Sequence, residues 1–166
     1  MLFDYVKIFQ GWPPELAILL ISMIPIAELR VALPLALTVY NLNWLEAYLI
    51  TVLGNLLPVI LIIKLVGPVS DWLSSKFKVA EKFFMWLFNH TRHKTIQKYE
   101  KYGLWALMIF VAIPLPMTGA WTGALAAWLF GIKISDALIY ISLGVLIAGL
   151  IVSFVTLGIK ELWFLI

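Results

Sequence analysis

The apolar positions of this chain fall into runs of unequal length. Residues 16–27 are apolar except for Ser22 and contain Pro25, and Glu28 and Arg30 follow directly. Residues 31–40 resume the run, interrupted by Pro34, and Asn41-Leu42-Asn43 reads as an interfacial turn. Residues 44–66 stay apolar long enough to span a bilayer, with charges only near the ends, at Glu46 and Lys64. After a basic stretch, residues 104–113 run into Pro114-Leu115-Pro116, residues 120–132 follow, and residues 137–157 form a second full-length run. The pattern predicts helices in lipid, two of them complete spans and the others broken.

One continuous span over residues 16–40 is a poor solution. As a helix, residues 16–27 rise about 18 Å, short of the ~30 Å hydrocarbon core but past its midplane. Glu28 and Arg30 would then sit near the bilayer centre. Each charge there costs about 2.5–3.5 kcal/mol, against ~0.3–0.6 kcal/mol gained per large aliphatic residue. Two charges cancel about ten aliphatics, and the prolines add to the cost. A re-entrant hairpin, its polar tip covered by protein or water near midplane, is the better prediction.

The second half repeats the order of the first. Ile24-Pro25-Ile26 and Ile113-Pro114-Leu115 lie 89 residues apart, and Gly54 and Gly144 lie 90 apart. Each copy reads as short arm, proline-marked break, short arm, turn and long span. Repeat one covers residues 14–68, a linker 69–102, and repeat two 103–161. Asn43 with Glu46 predicts a capping box, and Ser135 an N-cap followed by Asp136. A hairpin returns to its own side and a span crosses, so the two copies are inverted in the membrane. The expected fold is one all-α integral membrane domain of inverted repeats. Each half is a re-entrant helical hairpin plus a transmembrane helix, linked by an amphipathic basic segment.

Composition agrees: 63% of the 166 residues are hydrophobic and 13% charged, with mean hydropathy +1.01. Soluble domains carry about a quarter charged residues, so there is too little charge here to coat a soluble surface. The net charge of +3 is uneven. Between residues 70 and 101 seven basic residues oppose three acidic ones, net +4, which leaves −1 elsewhere. With Trp72, Phe77, Phe83, Phe84 and Trp86 among its lysines, this stretch reads as an amphipathic helix on the inner leaflet. Its expected partners are membrane lipids with anionic headgroups, and no nucleic acid is expected. The positive-inside rule puts it in the cytoplasm and both termini outside. The first residues lack a basic n-region and cleavage site, and read as an interfacial lead-in. Homo-oligomerisation would suit so small a membrane domain.

The absence of cysteine excludes disulfides, thiolate metal sites and a cysteine nucleophile. No Walker loop, zinc motif, dinucleotide fingerprint or Ser/His/Asp arrangement is present, so neither an enzyme nor a cofactor is expected. His90 and His93 have helical spacing, but no carboxylate lies close in this basic stretch, which argues against a metal site.

Candidate chemistry concentrates at the breaks. Ionisable residues at membrane depth default to function, and the bland alternative for Glu28 and Arg30 is a salt bridge that holds the hairpin tip. At i,i+2 they do not face each other on a helix, so each needs its own partner unless the backbone is broken there. Burial favours a protonated Glu28 and a nearby cation an ionised one, which suits a proton or cation site. Arg30 offers a planar fork for phosphate, and Pro34 interrupts the arm that follows. In the opposing break Pro114 and Pro116 remove backbone donors, and Gly119 and Gly123 permit unusual torsions. The hydroxyls of Thr118 and Thr122, with freed amides, could hold an anionic headgroup at a half-helix N-terminus. Gly119 and Gly123 also have the spacing of a helix-packing face. Asn55, in the first long span, could line the cavity or make an interhelical hydrogen bond.

At Ile24-Pro25-Ile26-Ala27-Glu28-Leu29-Arg30-Val31-Ala32-Leu33-Pro34 and Pro114-Leu115-Pro116-Met117-Thr118-Gly119-Ala120-Trp121-Thr122-Gly123 the chain resembles the small multidrug export protein family of prokaryotes. The resemblance covers nearly the whole length. That family is grouped by fold with the DedA and VTT membrane proteins, whose two re-entrant hairpins face each other. The resemblance implies this architecture in a prokaryotic plasma membrane. DedA relatives are implicated in moving lipid-linked phosphate carriers between leaflets, with proton coupling. They carry acidic residues in the first break and arginines around the second. Glu28 matches the acidic role. No arginine lies in residues 114–123, so Arg30 would have to serve the phosphate, and Met117 stands where the motif has glycine. The first expected function is a translocase or scramblase of a lipid or lipid-linked phosphate with proton coupling. The others are a proton-coupled exporter of small cationic compounds, and a non-transporting membrane-organising protein whose hairpins only pack.

Overall fold

A computed structural model describes residues 7–115 and 118–165, with side chains at 7–87, 103–115 and 118–159. Among these residues there are six helices of ten or more residues and no strand. They are α1 (Pro14–Met23), α2 (Glu28–Thr38), α3 (Trp44–Lys76), α4 (Lys78–Ala112), α5 (Ala120–Leu129) and α6 (Ile134–Leu165). Pro116 and Met117, the first six residues, and the side chains of His90 and His93 lie outside the described residues.

Local chemistry explains most boundaries. α1 opens with Pro14 at its first position and Glu15 in its first turn, both favourable at a helix N-terminus. It stops at Ile24, which is extended (ψ 130°) because Pro25 follows. The Asn43 side chain caps α3, accepting from the Leu45 N–H at 3.0 Å, one residue short of the bond that a capping box makes. α6 starts at Ile134, one residue before the expected cap Ser135, whose hydroxyl donates instead to Asp136 at 3.4 Å.

The basic segment 69–102 is not a separate element. α3 continues through Pro58 and Pro68 to Lys76, and one extended residue, Phe77 (φ −130°, ψ 114°), separates it from α4. α4 then runs unbroken from that segment into the arm that precedes Pro114. The apolar run stops at residue 66 and resumes at 104, but the helices do not follow it: Pro68 lies inside α3 and Gly103 inside α4. Neither breaks a helix whose neighbours and local adjustments satisfy the freed backbone groups.

The packing has a matched form in the two halves. α1 packs on α3 and α4 on α6, while α2 reaches across to α6 and α5 to α3. Gly54 of α3 lies so close to α1 that a Cβ there would sit 2.6 Å from the Leu19 carbonyl oxygen. Gly144 of α6 lies as close to α4, where a Cβ would sit 2.8 Å from the Met108 carbonyl oxygen. The core between the helices holds Ile18, Leu33, Val59, Ala124, Ile141 and Val145. Outside, α3 exposes Leu45, Leu49, Leu53, Leu57, Leu61 and Leu65 at four-residue spacing. That stripe is about 30 Å long, the thickness of a hydrocarbon core. Such an apolar face is far larger than a soluble monomer tolerates. Two helices, Trp44–Lys76 and Ile134–Ile159, are long and apolar enough to cross a membrane.

Candidate functional site

The two breaks face each other, and a single acid and a single base tie them together. Glu28 begins α2 with φ 47°, a left-handed conformation that is costly for a residue with a Cβ, about 1–3 kcal/mol. Its amide still reaches the Ile24 carbonyl at 2.8 Å, so the turn closes on itself. The unusual torsion sends a buried carboxylate, 3% exposed, across the molecule to the N-terminus of α5. There the Trp121 N–H donates to Glu28 Oε1 at 3.4 Å. An anion at the positive end of a helix is favourably placed.

Arg30 completes the link. Its Nη2 donates to Glu28 Oε2 at 3.3 Å, and its Nη1 donates to the Leu115 carbonyl in the second break. The i,i+2 pair meets because the backbone is broken at Glu28. Pro34, one turn on, has no N–H to offer the Arg30 carbonyl and lines neither cavity described below. A further tie runs the other way, from the Trp121 indole N–H to the Met23 carbonyl at the end of α1, at 3.2 Å.

The second break is organised by Thr118 and Gly119. The Thr118 hydroxyl donates to the Ile113 carbonyl at 2.7 Å, within 2.8 Å of the Leu115 carbonyl, and accepts from the Leu115 N–H at 3.1 Å. It thus replaces helical bonds lost at Pro114. Gly119 precedes α5 with φ 150° and ψ −169°, a region open essentially to glycine alone, and a Cβ there would overlap the Glu28 carboxylate. Thr122 donates to the Gly119 carbonyl at 3.2 Å. Gly123 is a packing residue: a Cβ would come within 2.6 Å of Val111 on α4.

Two spaces flank the Glu28–Arg30 pair. An open vestibule of about 570 Å³ is walled by Pro25, Ile26, Val31, Pro114, Thr118 and Thr122, with Glu28 and Arg30. Arg30, with 19% of its side chain exposed, is the more accessible member of the pair. On the inner side, a small space of about 10 Å³ is bounded by Glu28, Arg30, Asn55, Gly119 and Val145, among others. Glu28, Arg30, Asn55, Pro114, Thr118, Gly119 and Thr122 are therefore brought together, whereas Pro34 and Gly123 are not, and Pro116 lies outside the described residues. Among the described residues no cluster of three or more His, Asp or Glu side chains could hold a metal.

Two participants escaped selection from the sequence. The Leu115 carbonyl carries no side-chain signature. Trp121 reads from the sequence as one more interfacial tryptophan, although its place in the first turn of the arm after a proline break could have marked it.

No curated protein and no solved structure matches the chain. A family model described as "Putative small multi-drug export protein" matches residues 28–151, from Glu28 through the second break into α6. Three quarters of the sequence is covered, and the chain belongs to this family.

Proposed function

We propose that the protein is a multi-pass plasma-membrane transporter built from two inverted re-entrant pairs, moving a lipid phosphate or lipid-linked phosphate through the vestibule between the breaks. The observation that carries this reading is the Arg30 guanidinium. It links both breaks and is the exposed charge of the pair on an otherwise largely apolar wall. α1 and α5 have ten residues each, about 15 Å of helix, too short to cross a ~30 Å core and suited to turning back within it. The matched contacts of Gly54 on Leu19 and Gly144 on Met108 support an internal repeat, since both partners recur about ninety residues on. Anionic lipids at the basic stretch around Phe77 fit the same setting.

A phosphate entering the vestibule competes with Glu28 for Arg30, whose fork suits either anion. When Arg30 turns to the phosphate, one proton taken up by Glu28 keeps the buried site neutral. Proton coupling follows from that exchange. No cofactor and no catalytic step is required.

The second reading, export of small cationic compounds against protons, is favoured by the family description and by a carboxylate in a largely apolar vestibule. The two separate in reconstituted vesicles. Arg30→Ala is expected to abolish movement of phospholipid or polyprenyl phosphate, with Arg30→Lys recovering part of it. If Arg30→Ala leaves cation export intact while Glu28→Gln stops it, the second reading holds. Should both variants alter stability alone, the protein only organises membrane and neither transport reading survives.

A further inference from the structure

Behind the ion pair, the Asn55 side-chain oxygen is buried without a hydrogen-bond partner, and the residue is 4% exposed. An orphaned amide oxygen costs about 1–3 kcal/mol, so either it has an occupant to bond or it is a defect. Asn55 borders the small inner space together with Glu28, Gly119 and Ala120 at the start of α5. That space, about 10 Å³, is at the threshold at which one water fits. It is far too small for an organic ligand.

We propose that this space is a single-water site, the water donating one O–H to Asn55 Oδ1 and the other to the Glu28 carboxylate. A monovalent metal ion is the competing occupant, since both groups offer oxygen. Charge decides against it. The carboxylate already faces the Arg30 guanidinium and the positive end of α5, so a further cation would be uncompensated in a buried site. A neutral donor satisfies the same oxygens at no such cost. On the phosphate-transport reading, on which this consequence rests, the water keeps Glu28 hydrogen-bonded when Arg30 turns to substrate. The site itself is independent of that reading.

The test is an experimental structure in lipid nanodiscs without substrate, at a resolution that shows ordered water, with melting temperatures taken in sodium and in choline chloride. Asn55→Leu, which fills the space with an apolar group, is the accompanying variant. One ordered water between Asn55 and Glu28 is expected in the wild type and none in Asn55→Leu, with equal melting temperatures in the two salts. An empty wild-type space, a density that persists in the variant, or a sodium-specific rise in melting temperature overturns the proposal. Should Asn55→Leu not fold, the wild-type density and the salt comparison decide alone. Failure of transport with the water present would count against the phosphate reading only.

Discussion

Gly119→Ala is the sharpest single test of how the two breaks fit together. The change adds one methyl group, and two separate costs follow. At φ 150° and ψ −169° the backbone is open essentially to glycine, and any other residue pays about 1–3 kcal/mol. The new Cβ also overlaps the Glu28 carboxylate, which must move. Moving it loosens the bond from Arg30 at 3.3 Å and that from the Trp121 amide at 3.4 Å. Bonds to a charged group contribute about 1.5–3 kcal/mol each, and these are long, so the lower figure applies. Together the loss is about 4–6 kcal/mol, or a fall in melting temperature on the order of 10 °C by the scaling of domains this size. Thermal unfolding in detergent, followed by fluorescence-detected gel filtration, reads it directly. Gly11→Ala is the control, because Gly11 has φ 86° and nothing within 4 Å of a Cβ. It should lose only about 1–2 kcal/mol. Adding Glu28→Ala to Gly119→Ala should give back about 2 kcal/mol as coupling. If Gly119→Ala unfolds no earlier than Gly11→Ala, or shows no coupling to Glu28, the described contact between the breaks is wrong.

Three further outcomes follow from the same geometry. Arg30→Ala takes the charged partner from buried Glu28, leaving it the α5 N-terminus and the proposed water, and should cost about 2–3 kcal/mol in thermal unfolding. Most of that should return in the Arg30→Ala, Glu28→Gln double variant. Trp121→Phe keeps the ring but strips the donor from the Met23 carbonyl, an expected loss of about 1–3 kcal/mol by the same assay. Gly54→Ala and Gly144→Ala each force a Cβ against a carbonyl of the neighbouring arm and should destabilise by about 1–3 kcal/mol, equal within about 1 kcal/mol if the halves are packed alike.

The breaks themselves were legible in the sequence. Pro25 ahead of Glu28, and Pro114 ahead of Gly119, are local signals, and each stops a helix at the residue before the proline. The long apolar helices and the Asn43 cap were legible for the same reason, since neighbours in sequence decide them. What could not be read was anything set by the approach of one half to the other. That Arg30 reaches Leu115, that Trp121 reaches Met23, and that Gly119 makes room for Glu28 depend on α2 and α5 crossing to the opposite long helix. Helix propensity likewise carried no warning that α4 continues from lysine-rich residues into the apolar arm. Both parts form helix readily, and nothing between residues 78 and 112 interrupts it. For Gly123, spacing alone left packing and ligand binding level, and contact with Val111 assigns it to packing.

The account rests on α1 and α2 turning back inside the bilayer, and on the arms around Gly119 doing so from the other face. Side-specific labelling tests this most directly, because the chain has no cysteine and each introduced one reports alone. Single cysteines at Gln10, Asn41, Lys76 and Lys133 would be challenged in intact cells with a membrane-impermeant maleimide. The account predicts that Gln10 and Asn41 label from one face and that Lys76 and Lys133 are protected until the membrane is opened. Labelling of Gln10 and Asn41 from opposite faces would contradict it, since α1 and α2 would then form a through-going span and the vestibule would lose its floor.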